Sequence, residues 1–330
     1  MIVTAQKSVR PFLIAVALVL LSHPAVAGTI VAQSYAMPSM AQPMAVNIYK
    51  PDGAPPQGGW PVVYLLHGLG GNQGDWLVAG NVQTTLDALI ADGTVKPMLL
   101  VMPAAGNNWY VNTRAVGGTD DVEIAITDEL RAKIEAGFPV RTDQGGRAIA
   151  GLSMGGGGAL RLGIGHPDLY AAIAALSPAI WENVPNDDLN KAPEDIDVII
   201  DSTYFHWADQ DTLTTGVDLP PAGPHFSGAF GTPFDARRFN SENVFTLLAS
   251  AVRAEKRLPP IYLMVGDHDS HKLWRGAIAL YETLMADSAS VAFRVYDGDH
   301  SWDLWRAKIG EALIFIDQHF APLPDPAAKP

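Results

Sequence analysis

Ser153 stands between Gly151 and Gly155, directly after the apolar run Ala148-Ile149-Ala150 and before Gly156-Gly157-Gly158-Ala159-Leu160. A strand, a sharp turn and a helix in that order present a side chain above the sheet edge, and flanking glycines leave room where strand and helix converge. The free N–H groups at the helix start favour negative charge developing nearby. A hydroxyl placed there can act as a nucleophile. No Lys-Ser or Lys-Thr follows the glycines, so the stretch does not read as a phosphate-cradling P-loop.

A serine oxygen needs a neighbouring base, and the base needs an orienting acid. Both types follow downstream, at the ends of apolar runs. Gly266-Asp267-His268-Asp269 comes after the run ending at Val265, and Asp297-Gly298-Asp299-His300-Ser301-Trp302 after the run ending at Tyr296. Ser153, Asp269 and His300 therefore follow the order nucleophile, acid, base on successive strand-end loops, where α/β sheets place their sites. His300 is the candidate base. Asp269 is preferred over Asp267, which is nearer the strand and suited to holding the turn. Asp299 adjoins His300, and chain neighbours rarely face each other as such a pair requires.

An oxyanion formed at the serine needs two backbone donors. The N–H of Met154 is one. The other is assigned to Leu69 in His67-Gly68-Leu69-Gly70-Gly71, the loop after the run Val62–Leu66. His67 reads as a structural residue bonded within that loop. Trp109, Tyr110 and Trp302 are candidate walls of an acyl or aryl pocket, whereas Trp305 reads equally well as packing beneath the last helix. His268, Asp269 and His271 lie close together, and His206 and His225 sit further upstream, but no His-Glu-x-x-His or comparable ligand pattern is present. No metal site is expected. No cofactor is needed for this chemistry. His166, before Pro167, is expected to cap helix carbonyls.

The elements that must position these groups are legible as short apolar runs at 62–66, 98–102, 147–152, 171–176, 261–265 and 291–296. Runs of that length suit parallel strands buried on both faces. Helical stripes alternate with them: Val82, Leu86, Leu89 and Ile90; Val122, Ile126, Leu130 and Ile134, with Asp120 and Glu123 spaced for a capping box; Val244, Leu247, Leu248, Ala251 and Val252; Ile278, Tyr281, Leu284 and Met285; and a last helix over 309–320. The alternation predicts an α/β fold with a doubly wound, mostly parallel sheet. Residues 181–240, rich in Pro, Asp and Asn, break the rhythm and read as an insertion over the C-terminal edge of the sheet, with a short helix near 194–202.

Lys7, Arg10, the apolar run Phe12–Leu21 and Ala25-Val26-Ala27 fit a cleaved signal peptide over residues 1–27, since a run of about ten residues is too short to span a bilayer. Residues 28–321 then form one domain, and 322–330 a disordered tail. The chain has no cysteine and a formal charge of −13. That excludes a catalytic thiol, thiolate metal sites and disulfides, and argues against nucleic acid or anionic membrane surfaces as partners. No membrane anchor is expected after the leader is cleaved.

Together, His67–Gly71, Trp109-Tyr110, Gly151–Gly156, Gly266–Asp269 and His300-Ser301-Trp302 resemble the esterase D-like family of α/β-hydrolases, which includes S-formylglutathione hydrolases, feruloyl esterases, enterochelin esterases and mycolyltransferases. The resemblance covers roughly residues 40–320. It implies an α/β-hydrolase fold, a Ser153–Asp269–His300 triad with Leu69 and Met154 as oxyanion donors, and a small-molecule or polymer-derived ester as substrate. The 181–240 insertion matches no particular subgroup, and the leader disfavours a cytosolic S-formylglutathione hydrolase. The expectation is an exported serine carboxylesterase. An acyltransferase using the same triad and a non-catalytic binding protein on the same scaffold are the rival readings.

Overall fold

The computed structural model describes residues 27–190 and 226–322. Residues 1–26 of the expected leader, the stretch 191–225 with its expected short helix, and 323–330 of the expected tail lie outside the described residues.

Eight strands form one sheet: β1 Thr29–Tyr35, β2 Met44–Lys50, β3 Val62–Leu66, β4 Leu99–Pro103, β5 Arg147–Leu152, β6 Ala172–Leu176, β7 Ile261–Gly266 and β8 Val291–Tyr296. Their spatial order is β1-β2-β4-β3-β5-β6-β7-β8. β1 pairs antiparallel with β2, and β2 with β4; every pairing from β4 to β8 is parallel. From β3 to β7 almost every strand residue is buried, because helices cover both faces. This is the α/β-hydrolase fold.

The six predicted strands are present to within a residue. The β1–β2 hairpin was not predicted. β1 is an edge strand of half-buried and exposed residues, so no apolar run marks it. β2 did carry a signal, the alternation of buried Met44, Val46 and Ile48, which is the period-two pattern of a strand with unlike faces.

On one face pack α1 (Val82–Ala91) and α7 (Trp302–His319), whose Leu86, Ile309, Leu313 and Ile316 bury against Val63, Leu65 and Leu100. Among the described residues the other face takes five helices. α2 runs through Val122–Ile124, a π-helical stretch Ala125–Leu130 and Arg131–Gly137. α3 is Met154–Gly165, α4 Ala236–Glu242, α5 Val244–Arg253 and α6 Trp274–Ala286. Two details differ from the sequence reading. α7 begins at Trp302, two turns before the expected start at 309. In α6 the buried face is Ala277, Leu280 and Leu284, while Ile278 and Met285 face outward; Gly276 lets the helix abut the Ile180 backbone in the loop after β6.

The chain leaves β3 for β4 on one side of the sheet and leaves β5 for β6 on the other. Loops leaving the C-terminal ends of β3 and β5 therefore part in opposite directions and open a crevice. Both the 67–71 loop and Ser153 lie at that point.

Candidate active site

Ser153 closes β5 and precedes α3, with φ 52° and ψ −122°. A side chain in that region is strained, and it persists only where surroundings hold it. They do so here. Ser153 N–H donates to the Leu176 carbonyl at 2.9 Å, and the Ser153 carbonyl accepts from Gly157 and Ala179, each at 2.9 Å. The glycines permit the turn. A Cβ on Gly151 would collide with the Gly155 carbonyl, and one on Gly155 would lie 2.5 Å from the His67 carbonyl oxygen.

His300, between β8 and α7, places Nε2 2.9 Å from Ser153 Oγ and Nδ1 2.9 Å from Asp269 Oδ2. The Asp269 carboxylate is fully enclosed and the imidazole nearly so. With Nδ1–H donating to Asp269, Nε2 keeps its lone pair toward the serine hydroxyl, the arrangement in which an imidazole can take a proton from oxygen. Asp269 is held in turn: its Oδ1 accepts from His271 N–H at 2.9 Å. The imidazole is wedged edge-on between the rings of His271 and Trp305, both 4.8 Å away. Trp305 is fixed by donating from Nε1 to Ser177 Oγ at 3.1 Å.

The other aspartates are engaged elsewhere. Asp267 is exposed, accepts from Gly298 N–H at 3.1 Å and meets His268 Nδ1 at 2.8 Å; the Gly298 donor holds its carboxyl below the ordinary range. Asp299 accepts from Ser270 N–H at 2.7 Å and His300 N–H at 2.6 Å, shaping the turn. The two histidines nearest Asp269 separate: His268 faces exposed Asp267 and Asp297, whereas His271 packs on His300.

Met154 is the first residue of α3, where an N–H has no intrahelical acceptor. The 67–71 loop lies against the serine, since a Cβ on Gly68 would be 3.5 Å from Ser153 Cβ. Leu69 N–H donates to no backbone acceptor among the described residues. His67 is buried and holds the loop, as its sequence context suggested: Nδ1 lies 2.7 Å from the Gly68 carbonyl and Nε2 accepts from Ala105 N–H at 3.0 Å. Burial lowers its pKa and keeps the ring neutral.

The three aromatic wall candidates take different places. Tyr110 is fully buried and its hydroxyl donates to the His67 carbonyl at 2.8 Å, so it supports the loop and does not face an open pocket. Trp109 is nearly buried in an aromatic cluster with Trp181 and Phe226, at 5.6 and 4.9 Å between ring centres. Trp302 is half-buried and packs edge-on against Trp76 and Trp305. Sequence reasoning did not find the cavity of about 480 Å³ between Ile180–Glu182 and the start of α6, where Trp181, Lys272 and Trp274 contribute walls. The signal available was position alone: these residues follow β6 and the Asp269 loop at the same sheet edge.

A buried charge network was also not legible. Arg161 on α3 donates to Glu123 Oε2 at 2.7 Å, to the Tyr110 carbonyl at 3.1 Å and to Glu242 on α4. His166 Nε2 lies 2.6 Å from Glu123 Oε1. The expected capping roles of Glu123 and His166 are thus replaced by a tertiary pair. Burial pushes the Glu123 carboxyl up, but the His166 hydrogen bond and the Arg161 charge outweigh it and leave it at about 2, against an ordinary 4.5. A carboxyl depressed on folding contributes stability in full above its unfolded value and loses it as pH falls through its folded value. Wild type is therefore expected to lose this contribution between about pH 4.5 and 2. Glu123→Gln should be less stable near neutrality and show a flatter acid limb over that window. Unfolding midpoints measured against pH check this; parallel curves for the two proteins would disprove it.

The chain is similar to known proteins in sequence and in fold. The family model described as "Putative esterase" matches residues 37–316. An endo-1,4-beta-xylanase/feruloyl esterase of Xylanibacter ruminicola is 32% identical over 145 residues, 42% of this chain but only 20% of that protein's length. An acetyl esterase of Caldicellulosiruptor saccharolyticus is 24% identical over 270 residues, 78% of this chain and 83% of that protein. A solved ferulic acid esterase superposes with a TM-score of 0.64 at 23% identity, covering 90% of this chain and all of that one.

Proposed function

Because the chain belongs to the Esterase family, hydrolases acting on ester bonds, we propose that it is a serine carboxylesterase working through Ser153, His300 and Asp269. The observation that carries this reading is the pair of 2.9 Å hydrogen bonds joining the three side chains.

In this reading Ser153 Oγ attacks the ester carbonyl while His300 Nε2 takes its proton. The carbonyl oxygen becomes an oxyanion, held by the N–H groups of Leu69 and Met154. Asp269 keeps the imidazole in the tautomer that accepts at Nε2 and stabilises the imidazolium that forms. The intermediate collapses, the C–O bond to the alcohol breaks, and His300 returns the proton to the departing oxygen. A water molecule deprotonated by His300 then attacks the acyl-enzyme, releasing the carboxylic acid and restoring Ser153. Each step moves one proton between oxygen and Nε2 and uses no further group.

The relatives named for feruloyl and acetyl esters support a carboxylic ester of a small acyl group as substrate. Lys7, Arg10, the apolar run Phe12–Leu21 and Ala25-Val26-Ala27, read as a leader over residues 1–27, support a secreted or periplasmic site of action. A fluorophosphonate probe is expected to modify Ser153 once per chain, with acid and alcohol released in equal amounts from a simple aryl ester. A folded protein that takes up no probe would overturn the proposal. Transfer of the acyl group to an added alcohol in preference to water would move the reading to an acyltransferase.

A further inference from the structure

Tyr110 occupies a place that neither a pocket wall nor ordinary core packing requires. It and its neighbour Trp109 are consecutive left-handed residues, at φ 57° and 52°. Neither is glycine, and left-handed backbone at bulky residues is kept only where the surroundings impose it. Three anchors do so. The Tyr110 hydroxyl donates to the His67 carbonyl at 2.8 Å. The Tyr110 carbonyl accepts from Arg161 on α3 at 3.1 Å. The ring lies flush on α3, where a Cβ on Gly158 would collide with it. Arg161 is itself buried and clamped between Glu123 and Glu242. One residue thus bridges the helix that follows Ser153 and the loop that carries Leu69.

We propose that Tyr110 is a positioning residue for the oxyanion hole: it ties the 67–71 loop to α3, so that the N–H of Leu69 keeps a constant position relative to Ser153 and the N–H of Met154. The proposal rests on the hydrolase reading above. The physics is that of donors whose value depends on being fixed before charge develops. Both donors sit on separate segments, one on the loop after β3 and one on the helix after β5. Tyr110, in the loop after β4, bridges them: its hydroxyl bonds the first, and its ring and carbonyl meet the second. The His67 carbonyl is the natural handle, being one residue from the Gly68–Leu69 peptide that supplies the N–H. The loop is further pinned on its outer side, where Gly70 N–H donates to Asn107 Oδ1 at 2.7 Å. Burial raises the Tyr110 hydroxyl well above its ordinary pKa, so it remains a donor across the range in which the enzyme would work.

The test is Tyr110→Phe, which removes one oxygen and keeps the ring. An oxyanion donor displaced by a fraction of an ångström is expected to lower kcat by about ten- to a hundredfold, less than deleting a donor outright. KM for an aryl ester should stay near the wild-type value, because the side chain does not face the pocket. The inhibition constant of a trifluoromethyl ketone, which forms a tetrahedral oxyanion adduct on serine, should weaken by the same factor as kcat/KM. A merely structural residue would not produce that match. Should Tyr110→Phe fail to fold, Arg161→Lys loosens the other anchor while retaining a cation between Glu123 and Glu242, and the same split is expected. A folded variant with wild-type kcat and ketone affinity, or one in which only KM rises, overturns the proposal. Wild type that neither hydrolyses aryl esters nor takes up a fluorophosphonate defeats the hydrolase reading first; an active wild type with an unaffected variant defeats this proposal alone.

Discussion

Ser153→Ala is expected to lower kcat/KM for a simple ester by about 10⁴–10⁶-fold and to abolish fluorophosphonate uptake, while the protein stays folded. The size follows from the chemistry: without Oγ no acyl-enzyme forms, and what remains is water attack in a site that still binds and polarises the ester. Folding should survive for reasons local to the turn. Ser153 makes no side-chain cap to α3, so removing its oxygen takes no bond from the helix. The turn itself is held by backbone bonds to Leu176, Gly157 and Ala179, which alanine retains. The left-handed φ of 52° strains alanine as it strains serine. The stability change should therefore lie within about 1 kcal/mol. Circular dichroism and thermal unfolding run beside the kinetics check both halves, and a variant keeping a tenth of wild-type activity would remove Ser153 from the mechanism.

Asp269→Asn should be the second-largest effect, about 10⁴-fold in kcat, and it is the sharper test of which aspartate orients the base. The asparagine oxygen can keep the 2.9 Å bond from His271 N–H. Its NH₂ then faces His300 Nδ1 and needs an acceptor there. That requirement moves the imidazole proton to Nε2, where it points at Ser153 and blocks proton transfer. The side chain is fully enclosed, so water has no access to repair the mismatch. Asp267→Asn and Asp299→Asn, whose carboxylates bind backbone donors in turns, should retain activity close to wild type. Loss of activity in Asp267→Asn with full activity in Asp269→Asn would reverse the assignment. The comparison needs only kcat/KM for the three variants at one neutral pH.

The parts of this molecule that could be read in advance share a property. Strands β3 to β7 lie in parallel order with helices on both faces, so each carries a largely apolar run, and the run is visible in the chain. Gly151 is dictated by Gly155, four residues on within the turn itself, and Gly155 by the close approach of the end of β3 at Leu66 and His67. The β1–β2 hairpin is different: an edge strand needs no apolar run, and its pairing is decided by the strand it meets. Tyr110 shows the limit more clearly. Adjacent to Trp109 in the loop after β4, it has the composition of a pocket wall. Its burial depends on Gly158, its carbonyl partner on Arg161 and its hydroxyl partner on His67, all contributed by other elements. Glu123 has the spacing of a capping residue, yet an arginine 38 positions away on α3 makes a stronger claim on it, because a buried guanidinium left unpaired is costly.

By itself the chain determined the Ser153 turn, His300 and the order in which the groups come together, since each depends on local geometry or on a strand long enough to bury. Tertiary structure decided which aspartate meets the imidazole and which aromatic holds the 67–71 loop. Those choices depend on distances between segments far apart in the chain, and such distances exist only once helices and sheet have closed around a common core.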